Sequence, residues 1–241
     1  MNVLWFSCGV SSAIVAYLCK DELDKIIYQH IDDQEPDSLR FLHDVETLIG
    51  REIEIQQSQY KSVDSVCRAF GFVSSPFGAK CTDILKKRQR KEWEADNAGR
   101  HTYYWGMDCE ERGRSDRLVE RMTEHDHRFP LIEQGLIKQD VHAMAVKIGL
   151  KRPLMYNLGY PNNNCIGCVK GGKGYWNKIR IDFPEVFKAR AKMERDIGHS
   201  CLNGIFLDEL DPNAGNMQKE IMEDCGIMCE IAMQENAMAG Q

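Results

Sequence analysis

Short apolar runs alternate along this chain with amphipathic stretches, at spacings that suit strands and helices. Asn2 to Phe6 reads as a short buried strand, followed by a small-residue turn at Ser7 to Ser12 and a helix through Ala13, Ile14, Ala16, Tyr17 and Leu18. Lys25 to Ile31 is a second strand and ends in a polar cluster, His30, Asp32, Asp33 and Glu35. Asp37 to Ile49 has helical period with Phe41, Leu42, Val45 and Leu48 on one side, and Glu52 to Gln56 alternates as a third strand. Ser62 to Ala98 is largely helical with a break around Gly71 to Gly78. Thr102 to Met107 predicts a fourth strand, Asp116 to Glu124 a helix and Phe129 to Ile132 a fifth strand. Gln139 to Ile148 is a helix stopped by Gly149, Tyr156 to Gly174 a structured loop, and both Phe183 to Ile197 and Gln218 to Met238 are helical. Strands separated by helices predict an α/β fold, a doubly wound and mostly parallel five-stranded sheet with a helical C-terminal part. The expected division is an α/β domain over 1–160, with a cysteine-containing loop and helical region over 161–241 packed on it.

Composition narrows the class. With 43% hydrophobic and 28% charged residues in 241, the chain is ordinary globular material with enough length for a core. No apolar run is long enough to cross a bilayer, and no basic segment precedes the first apolar stretch as in a signal peptide. Ten cysteines without a secretory signal point to a cytoplasmic protein whose thiols ligate a metal, do thiol chemistry or pack as small hydrophobes. The net charge of -6 is concentrated at the end: Asp208 to Gln241 holds eight acids and one base, a net of -7, so the remainder sums to +1. That balance gives a nucleic-acid partner no support and leaves room for a basic pocket that takes a small anion. The apolar helical faces could serve a homodimer or the core equally well.

Several segments carry candidate chemistry. Strand, then Ser7-Cys8-Gly9-Val10-Ser11-Ser12, then helix would present backbone N–H groups and hydroxyls to a phosphate, with Gly9 allowing close approach. A serine N-cap on an ordinary βα connection is the plainer alternative. The end of the second strand places His30, Asp32 and Asp33 close to that loop, where either carboxylate suits a magnesium ion or a ribose hydroxyl, and solvated loop acids are the alternative. Lys80 to Lys91 holds six bases and one acid, and Lys170, Lys173, Lys178 and Arg180 form a second basic group; each is a pocket wall or a solvated face. Cys165-Ile166-Gly167-Cys168 has the spacing of a metal or cluster ligand pair or a redox pair. Its completion would need distant thiols, with Cys81, Cys109, Cys201, Cys225 and Cys229 as candidates.

Taken together, these segments resemble the phosphoadenosine phosphosulfate (PAPS) reductase family, within the PP-loop adenine nucleotide alpha hydrolase-like superfamily. The resemblance rests on the loop Ser7 to Ser12, on Gly106 to Arg114, on Pro130-Leu131-Ile132 with Asp140-Val141, and on Pro153 to Tyr160 leading into Cys165 and Cys168, and it spans residues 3 to 170. It implies an adenine nucleotide (PAPS, APS or ATP) held by Ser7, Gly9, Val10, Ser11, Ser12, His30 and Asp32, with magnesium as an option. It also implies a [4Fe–4S] cluster, ahead of zinc, on Cys81, Cys165 and Cys168, with Thr82 standing where the family has a further cysteine. Asp224-Cys225-Gly226-Ile227-Met228 resembles the reductases' Glu-Cys-Gly-Leu-His segment, which makes Cys225 the nucleophile, with Lys170 and Arg114 neutralising sulfonate and phosphate charge and a thioredoxin-like partner as reductant. The family's related branch of ATP-dependent sulfurtransferases, using a three-cysteine cluster, is the alternative; a non-catalytic nucleotide-binding protein is another. The superfamily's Ser-Gly-Gly-x-Asp-Ser loop has a glycine where this chain has Cys8 and an aspartate where it has Ser11, and the Cys8 side chain is expected to crowd the phosphate.

Overall fold

The computed structural model describes residues 1–75 and 78–219. Along the chain come β1 (Asn2–Phe6), α1 (Val10–Cys19), β2 (Lys25–His30), α2 (Asp37–Ile49), β3 (Glu54–Gln57) and α3 (Val63–Phe70). A helical stretch from Lys80 follows, passing through a π-helical segment at Asp83–Lys87 into α4 (Arg88–Asp96). Then come β4 (Thr102–Tyr104), α5 (Arg112–Arg121), β5 (Asp126–Arg128), α6 (Lys138–Lys147), α7 (Lys173–Asp182) and α8 (Pro184–Ile197). The five strands form one sheet in the order β3-β2-β1-β4-β5. Every pairing in it is parallel, with Val3 opposite Lys25 and Asn2 opposite Thr102. The α/β fold with a parallel five-stranded sheet and a helical C-terminal part is therefore the observed one.

The chain divides into two compact units. The first comprises Met1–His30, Glu35–Gln57 and Lys91–Asn163, and the second Ile31–Gln34, Ser58–Arg90 and the chain from Asn164 on.

In the first unit α1 is buried almost all round: Val10, Ala13, Ile14, Val15 and Ala16 have no exposed surface. Three of these are β-branched and poor helix formers, so burial holds the helix rather than propensity, at about 1.5–3 kcal/mol for each large apolar side chain. Facing it are Leu4 and Phe6 of β1, Phe41, Leu42 and Val45 of α2, and Val141 and Ala145 of α6. Helix α2 is amphipathic and stops at Gly50, whose φ of 68° lets its N–H reach the Glu46 carbonyl. Aromatic side chains fill another region of the unit, Trp5 meeting Trp93 at 5.6 Å and Tyr103 at 5.7 Å.

The second unit has its own core, in which Val66 and Cys67 of α3 pack with Cys81, Leu85, Cys165, Val169 and Met193. Arg190 of α8 is buried there and forms an ion pair with Asp33, while the other Asp33 oxygen accepts the Val63 N–H at 2.6 Å.

Two expectations need correction. The fifth strand is Asp126–Arg128, and Pro130–Glu133 is a turn of helix. Proline has no N–H for a ladder and suits the first helical position, and Glu133 accepts the Phe129 N–H at 3.0 Å. Lys173–Asp182 is a helix where no periodic stretch stands out, because three glycines from Gly171 to Gly174 dilute an apolar face of Tyr175, Trp176 and Ile179.

Candidate functional site

The first loop leaves the carboxyl end of β1, next to β4, where the strand order reverses; the crevice at such a point is the usual ligand position in an open parallel sheet. The loop is closed by its own serines. Ser12 Oγ accepts the Ser7 N–H at 3.2 Å, lies 3.1 Å from Ser7 Oγ and donates to the Gly9 carbonyl at 3.0 Å. Gly9 is the extended N-cap residue of α1, and the first backbone bond of the helix runs from Ala13 N–H to Gly9 O at 3.1 Å. The N–H groups of Val10, Ser11 and Ser12 therefore precede the helical ladder and point out of its positive end. Tyr156 OH accepts the Val10 N–H at 3.3 Å and lies 3.3 Å from where a Gly9 Cβ would be. At Gly106, after β4, a Cβ would come within 2.7 Å of Ser12 N, so the loop rests directly on another backbone.

Cys8 behaves differently from expectation. Its φ is 58°, its side chain is fully buried, and its Sγ lies 3.6 Å from the Ser38 carbonyl oxygen. The left-handed backbone, at a conformational cost of about 1–2 kcal/mol, sets the side chain in the apolar core with Phe41 and Leu42. The cysteine does not crowd the cradle.

The remaining candidates have these places. His30 closes β2, half-buried, with its Nδ1 3.3 Å from Tyr28 OH. Asp32 is exposed and donates its backbone N–H to the Lys61 carbonyl at 3.0 Å. Arg114, buried in α5, is paired with Glu111 at 2.5 Å; Glu111 itself closes a capping box with Asp108. Lys170 is half-buried in the turn after Cys168, where Gly171 N–H donates to Cys168 O at 2.9 Å. Of the other bases, Lys178 pairs with Asp182 at 2.7 Å, and Arg180 donates to the Leu210 carbonyl at 2.8 Å and lies 4.5 Å over the Phe187 ring. These two are committed to structure. Cys225 lies outside the described residues.

The Cys165–Cys168 turn is held from several directions. Tyr175 OH accepts the Cys168 N–H at 2.8 Å and donates to the Cys165 carbonyl at 3.1 Å. Arg190 Nε donates to the Gly167 carbonyl at 3.3 Å, and Ile166 N–H donates to Asp33 O at 2.8 Å. Gly167 has a φ of 68°, a left-handed position that favours glycine. Burial works against the Arg190 charge, but the Asp33 carboxylate outweighs it and keeps the guanidinium protonated. Cys81 and Cys165 share one apolar core with Cys201 at its margin, and Cys168 is buried as well. Burial, then the nearby Glu194 carboxylate, pushes the Cys201 thiol far up. Among the described residues no three His, Cys, Asp or Glu side chains come together as a metal-binding group.

Tyr156, Asn163, Gly106, Tyr175 and Arg190 shape these sites without having been singled out as candidates. Tyr156 and Gly106 had a signal, their places in the Pro153–Tyr160 and Gly106–Arg114 segments; Asn163 and Arg190 act across 155 and 23 residues, and Tyr175 on a turn 7 to 10 residues before it.

No protein-family model matches the chain, and no curated protein matches it in sequence. Its fold, however, is found among solved structures. The phosphoadenylyl-sulfate (PAPS) reductase from Candida auris, solved as a phosphate complex, superposes with a TM-score of 0.51 at 12% identity, over 68% of this chain and 81% of that one. The likeness is one of architecture: this chain shares the fold of that reductase over about two thirds of its length.

Proposed function

We propose that the chain binds an adenine nucleotide at the Ser7–Ser12 loop and uses it in sulfonucleotide reduction. One observation carries the reading: the Ser11 and Ser12 amides, which precede the helical ladder of α1, sit beside the β1/β4 reversal point, in a fold shared with an enzyme solved in complex with phosphate. The Ser11 and Ser12 amides supply donors to the nucleotide phosphate, Gly9 lets the chain approach it closely, and Ser7 keeps the loop closed. His30 and Asp32 lie at and just past the end of β2, where a ribose hydroxyl or a magnesium ion belongs.

In the proposed reaction the Cys225 thiolate attacks the sulfate sulfur of an adenylyl sulfate. An S–S bond forms, the S–O bond to the phosphate breaks, and the leaving electron pair departs on AMP or its 3′-phosphate form. Lys170 and Arg114 offset charge on the sulfonate and phosphate. A thioredoxin-like dithiol then attacks the Cys225 sulfur and releases sulfite, and the dithiol ends as a disulfide.

Calorimetric titration of the full chain with adenosine 5′-phosphosulfate, followed by sulfite assay with a dithiol reductant, tests the proposal. Binding with sulfite release is expected, and Cys225→Ser keeps binding and loses all sulfite. Unchanged turnover in Cys225→Ser removes the mechanism, and no binding of any adenine nucleotide removes the reading.

A further inference from the structure

Cys8 occupies a left-handed backbone position, φ 58°, where glycine is the ordinary occupant. Its carbonyl accepts a hydrogen bond from Asn163 Nδ2 at 2.8 Å, and the same nitrogen donates to Ser38 Oγ at 3.0 Å. Asn163 is 5% exposed and stands 155 residues from Cys8 in sequence. The geometry points to Asn163 as the positioning residue of the nucleotide loop, holding a cysteine in the backbone conformation that glycine adopts without help. This inference rests on the reading of the loop as a nucleotide cradle.

Peptide planarity explains how a grip on one carbonyl can shape the loop. The Cys8 C=O and the Gly9 N–H belong to one rigid plane and point in opposite directions. Fixing the carbonyl inward on Asn163 turns the Gly9 N–H to the other side, where Ser7 Oγ lies at 3.4 Å. The bond to Ser38, in the first turn of α2, anchors the amide at a second point. The carboxamide cannot be reversed without setting its oxygen against the Cys8 carbonyl oxygen. In the observed orientation Asn163 Oδ1 is buried with no hydrogen-bond partner among the described residues. An acceptor left unsatisfied is costly, so what this position provides is the pair of amide protons.

A double-mutant cycle on the full chain tests the inference, with affinity for adenosine 5′-phosphosulfate read by calorimetry and thermal midpoints read alongside. Asn163→Ala in the natural background is expected to weaken binding about tenfold, equivalent to about 1.4 kcal/mol. In a Cys8→Gly background, where the backbone needs no grip, the same change should weaken binding by less than about twofold, roughly 0.4 kcal/mol. Asn163→Asp keeps the shape without the amide donors and should bind as weakly as Asn163→Ala. An equal loss in both backgrounds makes Asn163 a general packing residue and overturns the inference, as does natural affinity in Asn163→Asp. If the natural chain binds no nucleotide, the cradle reading falls by itself. The midpoints then decide: a loss on Asn163→Ala that Cys8→Gly abolishes upholds the inference, and additive losses overturn it.

Discussion

Tyr156 and Cys19 illustrate how single side chains act on the first unit. The Tyr156 hydroxyl takes one of the three amides at the start of α1, so Tyr156→Phe should lower stability by about 1 kcal/mol and speed exchange of the Val10 amide. Urea unfolding and amide exchange measure both, and an unchanged Val10 rate would remove the hydroxyl from this role. At the other end of the helix, burial first and Glu22 next push the Cys19 thiol up to about 11 from 9.0. The folded chain then holds the proton while the unfolded chain releases it above about pH 9. Stability present below pH 9 is therefore lost as pH rises towards 11, by up to about 2–3 kcal/mol from this thiol. Urea midpoints across that window should fall, and less steeply in Cys19→Ala; equal slopes would contradict the assignment. The loop around these residues was legible from its small residues between strand and helix. The inward turn of Cys8 was not, because a positive φ outside glycine leaves no mark in local sequence.

Among the elements, α8 ties the second unit together through the Arg190–Asp33 pair. Asp33→Ala strands a buried guanidinium and removes the acceptor for Val63 N–H, which should cost about 3–5 kcal/mol in urea unfolding. A loss under about 1 kcal/mol would mean that water reaches Arg190 freely. Periodicity identified α2 from residue 37 to residue 49, since Phe41, Leu42 and Val45 repeat on its buried side. It misplaced β5, whose Asp126, His127 and Arg128 are polar because the strand lies at the sheet edge. The neighbouring apolar Phe129–Ile132 carried the strand signal instead, and Pro130 was the residue that argued against it. The Cys165–Cys168 spacing was plain in the sequence, but its support by Tyr175, Arg190 and Asp33 comes from side chains whose own neighbourhoods signal only helix or loop.

At the level of the whole molecule, alternation of strand and helix was enough to read a parallel α/β sheet, and the order β3-β2-β1-β4-β5 puts a reversal point, and so a crevice, between β1 and β4. That crevice depends on Gly106, because a methyl group there would meet the Ser12 backbone at 2.7 Å. Gly106→Ala should cost about 1–3 kcal/mol by overpacking and weaken nucleotide binding with it. Thermal melts and calorimetry check this together, and an alanine variant with natural stability and affinity would show that α1 yields easily. The sheet order has another effect. Its two outermost strands carry Glu54, Gln56 and Gln57 on one flank and Asp126, His127 and Arg128 on the other. A like chain laid alongside the Asp126–Arg128 flank would bring charged and polar side chains against their own copies, which disfavours ribbon-to-ribbon stacking there, whereas the other flank also carries the exposed Ile55. Should copies of this molecule pair, the helices that coat the sheet are the better meeting ground.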